Sequence, residues 1–105
     1  MGESRVLVNP DPARAGSFDV VVRDARGASR HRVTVSDEDS ARFSKLGADT
    51  ARAVDAAMAF LLDREPKESI LGAFDISVIR RYFPEFDEAF PAYLARPAGE
   101  TGKGA

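Results

Sequence analysis

Apolar and polar residues alternate along the first 35 positions of the chain, a pattern typical of half-buried β-strands. Within residues 18–24, Phe18, Val20 and Val22 lie at alternate positions, and residues 30–35 alternate in the same way. Gly27 lies between these two runs and permits a tight turn, so an antiparallel hairpin is predicted. Residues 5–8 form a third apolar run, which ends at a segment rich in proline and aspartate. The pattern therefore predicts a three-stranded antiparallel sheet with one apolar face.

Helical spacing replaces this alternation after position 36. Ser36 and the three acids that follow it predict a helix N-terminus, and Gly47 predicts the end of that helix. A longer helix is predicted from about residue 50 to residue 64, because its apolar side chains recur at helical spacing. Pro66 then forces a break. We expect this longer helix to lie at the centre of the fold.

Shorter helical segments are predicted beyond that proline, over residues 67–73, 76–83 and 84–94. Since a few strands alone are marginally stable in water, the apolar face of the sheet must be covered. We therefore predict an α+β fold, in which a three-stranded antiparallel sheet is followed by three to five helices packed on one face. Residues 1–96 are expected to form this single domain, and the small, polar residues 97–105 to form a disordered C-terminal tail.

The composition limits the chemistry that the chain can carry. Its 105 residues, of which 44% are hydrophobic and 30% charged, are typical of one globular domain. The lack of cysteine excludes thiolate chemistry, and a single histidine excludes a histidine-rich metal site, so no cofactor and no metal is expected. The longest apolar run, residues 56–62, is too short to span a bilayer, and the N-terminal residues lack a secretory pattern. We therefore expect a cytoplasmic protein without a membrane partner.

The net charge of −2 is unevenly distributed along the chain. Residues 1–35 carry six arginines and four acids, whereas residues 36–65 carry four basic residues and seven acids. The basic residues of the predicted hairpin are Arg23, Arg26, Arg30, His31 and Arg32. A β-ribbon that carries arginines can bind nucleic-acid phosphates, but an ordinary solvent-exposed face contains the same residues. Both interpretations stay open, although no aromatic residue interleaves with the arginines to stack on bases.

His31 is the one residue of the hairpin suited to acid–base catalysis or pH sensing. The alternation places it on the same face as Val33 and Val35. Because the sequence places no nucleophile near it, a structural histidine with a ring nitrogen bound to the backbone is the simpler interpretation. We therefore predict that the protein is not an enzyme. A catalytic site would require a deep pocket that holds His31 beside a carboxylate.

The segment FLLDREPKESILGAFDISVIRRYFPEF, residues 60–86, resembles the signature of a family of small bacterial proteins of uncharacterised function. Residues 31–36 resemble the strand that precedes the first helix in that family. The resemblance implies membership of the family and implies no activity, substrate or catalytic residue.

A dense polar corner within this segment provides candidate interaction residues: Arg64, Glu65, Lys67 and Glu68. Glu65 with Lys67 or Ser69 forms a potential acid–base pair. Stabilisation of helix termini by the charges of the corner explains the same residues without further assumption. A surface that binds a partner is the functional interpretation of this corner.

Arg80, Arg81 and Tyr82 follow a turn in a pattern similar to a helix-turn-helix, whose second helix enters a nucleic-acid groove. Val78 and Ile79 are apolar where such a helix normally begins with polar residues. The segment is also short. We therefore favour a role in capping the core, with Arg80 and Arg81 in solvent.

The C-terminal third is rich in aromatic residues, namely Phe74, Phe83, Phe86, Phe90 and Tyr93. A core of this size has difficulty in enclosing these rings together with the sheet face and the central helix. We therefore predict a non-enzymatic protein-interaction or regulatory module that self-associates, either through the polar corner or through the C-terminal aromatic helices. The alternative is a regulator that binds nucleic acid through the hairpin or through the helix-turn-helix-like segment.

Overall fold

Three antiparallel strands form the centre of the sheet, as the alternation predicts. The computed structural model describes residues 4–96 and 100–101. The three strands are β1 (Ser4–Pro10), β2 (Ser17–Asp24) and β3 (Gly27–Thr34). Their register places Val6 opposite Val22, and Val20 opposite His31. The buried side chains of the three strands therefore share one face, which is the face covered by the helices.

The sheet is wider than the predicted three strands. Strand β4 (Ala73–Asp75) pairs parallel with β3, and β5 (Glu100–Thr101) pairs antiparallel with β1, which gives the order β4-β3-β2-β1-β5. The α+β class is confirmed, but the prediction of a purely antiparallel, three-stranded sheet is wrong. A three-residue strand is too short to show alternation, and its partner lies far away in the sequence. Of the predicted disordered tail, residues 97–99 and 102–105 lie outside the described residues.

The helical segments that cover the sheet differ at their N-termini, because the first two begin at a residue whose side chain caps the helix and the last two do not. Within residues 4–96 they are α1 (Asp37–Lys45), α2 (Thr50–Leu62), a 3-10 turn (Lys67–Ser69), α3 (Val78–Tyr82) and α4 (Phe86–Leu94). The Ser36 hydroxyl accepts from the Asp39 amide at 3.1 Å, and the Asp49 carboxylate accepts from the Arg52 amide at 2.8 Å. None of the described helices is long and apolar enough to cross a membrane.

Helix α2 occupies the centre of the core, as its spacing predicts. All of its residues from 53 to 61 are buried. It packs against β1 on one side and against α4 on the other. The single acid in this stretch, Asp55, accepts a hydrogen bond from Arg52 at 2.6 Å, so its buried carboxylate is paired.

Two aromatic residues that were expected to be available for self-association lie in the core. Phe86 is 1% exposed and Phe90 is 2% exposed. The Phe60 and Phe86 rings meet edge to face with centroids 5.0 Å apart, and the Phe86 and Phe90 centroids are 4.9 Å apart. The buried side chains of α2 include several alanines, whose small volume leaves space in the core for these rings. The prediction that Phe86 and Phe90 contribute to an interaction surface is therefore wrong.

The connection between β1 and β2 depends on a glycine that contacts the end of β3. Gly16 has φ of +80° and accepts a hydrogen bond from the Val35 amide at 2.7 Å. A Cβ added at Gly16 would lie 2.6 Å from the Val35 carbonyl oxygen. Gly47 has nearly the same φ, +83°, but a Cβ there would meet nothing within 4 Å.

We expect Gly16→Ala to reduce stability more than Gly47→Ala, although both impose the same backbone strain. The left-handed backbone alone costs about 1–2 kcal/mol for a residue with a Cβ. The steric overlap adds roughly 1–3 kcal/mol at Gly16. Chemical denaturation of the two variants measures the difference in the free energy of unfolding. Equal losses would contradict the close contact between Gly16 and Val35.

Candidate functional site

An open apolar groove lies between the 3-10 turn, β4 and α3. It has a volume of about 260 Å³, and its apolar walls are formed by Leu61, Ile70, Phe74, Val78, Ile79 and Phe83. Leu71 and Tyr82 also line the groove, and they are 53% and 69% exposed. The polar lining consists of Glu65 and Ser69. The groove therefore combines a large apolar surface with one carboxylate.

The segment that walls the groove is fixed to the free edge of β3. The Arg32 amide donates to the Gly72 carbonyl at 2.8 Å, and the Ile76 amide donates to the Thr34 carbonyl at 2.9 Å. The Thr34 hydroxyl also donates to the Asp75 carboxylate at 2.7 Å. These contacts hold β4 in place, so the groove is built on the sheet.

The His31 side chain also binds this segment, through a hydrogen bond to the Leu71 carbonyl. Its ring is 5% exposed, with Nδ1 at 2.8 Å from the Leu71 carbonyl oxygen and Nε2 at 2.7 Å from the Ser29 hydroxyl. Because a carbonyl oxygen only accepts, Nδ1 donates to Leu71, and Nε2 shares a hydrogen bond with the Ser29 hydroxyl. A backbone carbonyl rather than a carboxylate therefore orients the ring. This is the arrangement expected of a structural histidine, with its ring nitrogen bound to the backbone.

Ser29 is a hydroxyl neighbour of His31 that the sequence argument missed, since it lies two residues away on the same face of β3. The Ser29 hydroxyl and the His31 ring therefore hydrogen-bond to each other within the sheet. Within the described residues, no group of three or more His, Asp and Glu side chains is placed to hold a metal ion.

Arg64 of the polar corner turns back onto the core. Its guanidinium donates to the Phe60 carbonyl at 3.1 Å and to the Tyr93 hydroxyl at 3.2 Å, and it lies 3.5 Å from the centre of the Phe60 ring. It also forms a salt bridge with Glu85 at 3.2 Å. Burial disfavours the charged form, but the hydrogen bonds to Tyr93 and Glu85 outweigh it and raise the pKa of Arg64. This arginine therefore joins helices within one chain.

Lys67 of the polar corner is buried and joins the corner to the β2–β3 turn. Its Nζ lies 2.5 Å from a Glu68 carboxylate oxygen and 2.9 Å from a carboxylate oxygen of Asp24. The hydrogen bonds to Glu68 and Asp24 raise the pKa of Lys67, and the one to Glu68 has the larger effect. The hydrogen bond from Lys67 in turn lowers the pKa of Asp24 and that of Glu68. Of the predicted corner residues, Glu65 is the one that the structure leaves in the groove.

The helix-turn-helix-like segment does not form a free recognition helix. Helix α3 has five residues, and Val78 and Ile79 turn into the groove and the core. Arg80 lies 3.1 Å from Asp87, so its charge is paired. Arg81 and Tyr82 remain exposed beside the groove. The structure thus brings Glu65 and Tyr82 of the predicted candidates together and separates them from Phe86 and Phe90.

The hairpin arginines divide into paired and unpaired residues. Arg32 forms salt bridges with Asp11 at 3.1 Å and Asp19 at 2.9 Å, so its charge is compensated. Arg23 and Arg30 project from the opposite face of the sheet to His31 and are exposed. The sequence argument missed Arg5, which the register places opposite Arg23 on β1.

We expect Lys67→Met to flatten the loss of stability in acid. Since the folded-state pKa values of Asp24 and Glu68 lie below their ordinary values of 3.8 and 4.5, their contribution is present above those values. It is lost as the pH falls through the folded-state values. The variant is expected to be less stable at neutral pH and to lose less stability between about pH 5 and pH 3.

Thermal unfolding across this pH range measures the effect, and Lys45→Met is the matched control. Lys45 is an exposed lysine in the last turn of α1, so its removal changes the net charge by the same amount. Identical acid profiles for Lys67→Met and Lys45→Met would contradict a specific role of the buried amine.

Comparison with known protein families, with curated proteins and with solved structures yields no match for this chain. The family resemblance of residues 60–86 therefore stays a prediction, and the argument for function rests on the surfaces of the molecule.

Proposed function

We propose that the protein is a non-enzymatic interaction module that self-associates through the groove between the 3-10 turn, β4 and α3. The observation that carries this proposal is an open apolar groove with two large, exposed apolar side chains on its rim, Leu71 and Tyr82. A partner that covers them removes apolar surface from water, which favours association.

The dimensions of the groove suit side chains of a protein partner. Its volume of about 260 Å³ lies below the roughly 300–1,000 Å³ that is typical of small-ligand sites. A recess of this size accepts one aromatic anchor or a pair of aliphatic ones. Such anchors supply most of the binding energy in protein interfaces.

A second copy of the chain is the partner that the rim of the groove favours. Tyr82 is an exposed aromatic anchor, and Arg81 places a cation directly beside it. The groove itself contains the carboxylate of Glu65. Within the described residues, neither Arg81 nor Glu65 forms a salt bridge. One surface patch thus carries the recess, the anchor and both charges.

A two-fold symmetric dimer uses such a patch twice, because the same surface of each protomer meets its own copy. In this arrangement Tyr82 of each protomer enters the groove of the other. Arg81 then reaches the partner's Glu65. Each protomer therefore supplies an aromatic anchor and an arginine to the other, and the interface closes at two copies.

We expect Leu71→Ser to weaken self-association. Leu71 is 53% exposed, and covering that surface at both copies of a dimer is worth about 2 kcal/mol in total. The dimer dissociation constant should therefore rise roughly 30-fold. Sedimentation velocity over a range of protein concentrations measures this constant.

Leu46→Ser is the matched control for this substitution, because Leu46 is 52% exposed at the end of α1, away from the groove. It removes the same side chain and should leave the dissociation constant unchanged. A wild-type protein that is monomeric at every concentration would refute self-association, and equal effects of both variants would refute the groove as its site.

We expect Glu65→Arg and Arg81→Glu to be monomeric separately and to form a heterodimer when mixed. Each variant alone places like charges together at both ends of a symmetric interface. In the mixed dimer, the arginine at position 65 meets the glutamate at position 81, and the native Arg81 meets the native Glu65. Light scattering of each variant and of the equimolar mixture measures this recovery.

Recovery on mixing requires that the two charges meet between chains, because an interaction within one chain would not respond to a second variant. Dimerisation of either variant alone, or a mixture that stays monomeric while the wild type dimerises, would contradict this pairing.

A further inference from the structure

The outer face of the sheet carries arginines that form no salt bridge with any acid of the described residues. Alternation directs Val20, Val22 and His31 into the core, so Arg23 on β2 and Arg30 on β3 project outward, and both are exposed. Arg26 is exposed in the turn between these strands. We name the set Arg23, Arg26 and Arg30 the arginine face.

The pairing of acids in the hairpin leaves most of this positive charge uncompensated. The two acids of β2 are Asp19, which pairs with Arg32 at 2.9 Å, and Asp24, which pairs with Lys67 at 2.9 Å. Asp19 is thus held by a residue outside the arginine face, whereas Asp24 also accepts from the Arg26 amide at 2.8 Å and attracts the Arg26 charge. Within the described residues, the arginine face forms no salt bridge.

Arg5 extends the charged surface onto β1. The register places it opposite Arg23 on one side and opposite Glu100 of β5 on the other. Like charges on directly opposed residues destabilise an antiparallel pair. The Arg5–Arg23 pair therefore lowers the stability of the free protein, and a bound anion would relieve that repulsion.

We propose that the arginine face binds the phosphate backbone of double-stranded nucleic acid without reading its sequence. The proposal goes beyond the proposed self-association and stands without it, because none of the three arginines lines the groove. Guanidinium groups bind phosphate through paired, parallel hydrogen bonds, and residues 1–35 contain arginine but no lysine.

Two features of the face favour a duplex over other anionic partners. Within the described residues no aromatic side chain projects from it, since Phe18 of β2 is buried, so the face offers no platform for unpaired bases. Leu7 is its one large exposed apolar residue, which is a small anchor for an acidic protein. The face provides positive charge, and contacts between positive charge and phosphates are sufficient for binding to nucleic acid without sequence specificity.

Fluorescence anisotropy with a labelled 20-base-pair DNA duplex of random sequence, measured at several salt concentrations, tests the proposal. Three to four phosphate contacts predict a slope of log K against log salt of about −3. Arg23→Gln and Arg30→Gln should each reduce the slope by about 0.9 and weaken binding roughly tenfold at about 50 mM salt.

Arg42→Gln is the matched control, because Arg42 is an exposed arginine on α1 and its removal changes the net charge equally. It should leave both the affinity and the slope unchanged. Circular dichroism checks that all three variants are folded.

Four results would overturn the proposal. They are no binding at low salt, a slope near zero, an effect of Arg42→Gln equal to that of Arg23→Gln, and tighter binding of a poly-glutamate peptide or a single strand than of the duplex. Because the groove variant Leu71→Ser leaves the arginine face intact, duplex binding by that variant separates this proposal from the proposed self-association.

Discussion

The burial of helix α2 on all sides is the constraint on which the rest of the structure depends. A helix that is apolar on all sides has to be covered on all sides, and the sheet, α1 and α4 together provide this cover. Polar groups of the same helix then fix α4 in place. Arg52 donates to the Tyr93 and Leu94 carbonyls at 3.2 and 2.7 Å, and Asp63, which follows α2, accepts from the Tyr93 hydroxyl at 2.6 Å. The central helix therefore supplies both the apolar surface and the orientation of its cover.

The groove is a consequence of how the chain returns to the sheet after α2. The residues after α2 supply hydrogen-bond partners to the edge of β3. The Leu71 carbonyl binds the His31 ring, and the backbone of β4 pairs with the backbone of β3. A short 3-10 turn, three strand residues and a five-residue helix leave part of their apolar surface uncovered. Leu71 illustrates this division, because its carbonyl is bound to His31 while its side chain is half exposed. The surface proposed for association is thus the part of the fold that local packing cannot close.

Features determined by neighbouring residues were predictable, and features determined by distant partners were not. The Ser36 cap and the inward face of β2 depend on residues a few positions apart, and they follow from the sequence. The salt bridge of Lys67 with Asp24 depends on tertiary structure, as does the parallel position of β4. The sequence marks the polar corner as a candidate surface, yet spacing could not show that Lys67 turns inward while Glu65 lines the groove. The burial of Phe86 depends on complementary volumes of two helices, which composition does not reveal.

The proposed self-association would change what the arginine face can do. A chain of net charge −2 repels a polyanion overall, so a single face with three arginines would bind a duplex weakly. A dimer formed through the groove would leave Arg23 and Arg30 outside the contact, because neither residue lines the groove. If both faces reach the same duplex, the second face binds as part of a complex that the first has already formed. Its high effective concentration then makes the overall affinity of the dimer greater than that of one face. The relative orientation of the two protomers therefore decides whether both arginine faces can bind one duplex at the same time.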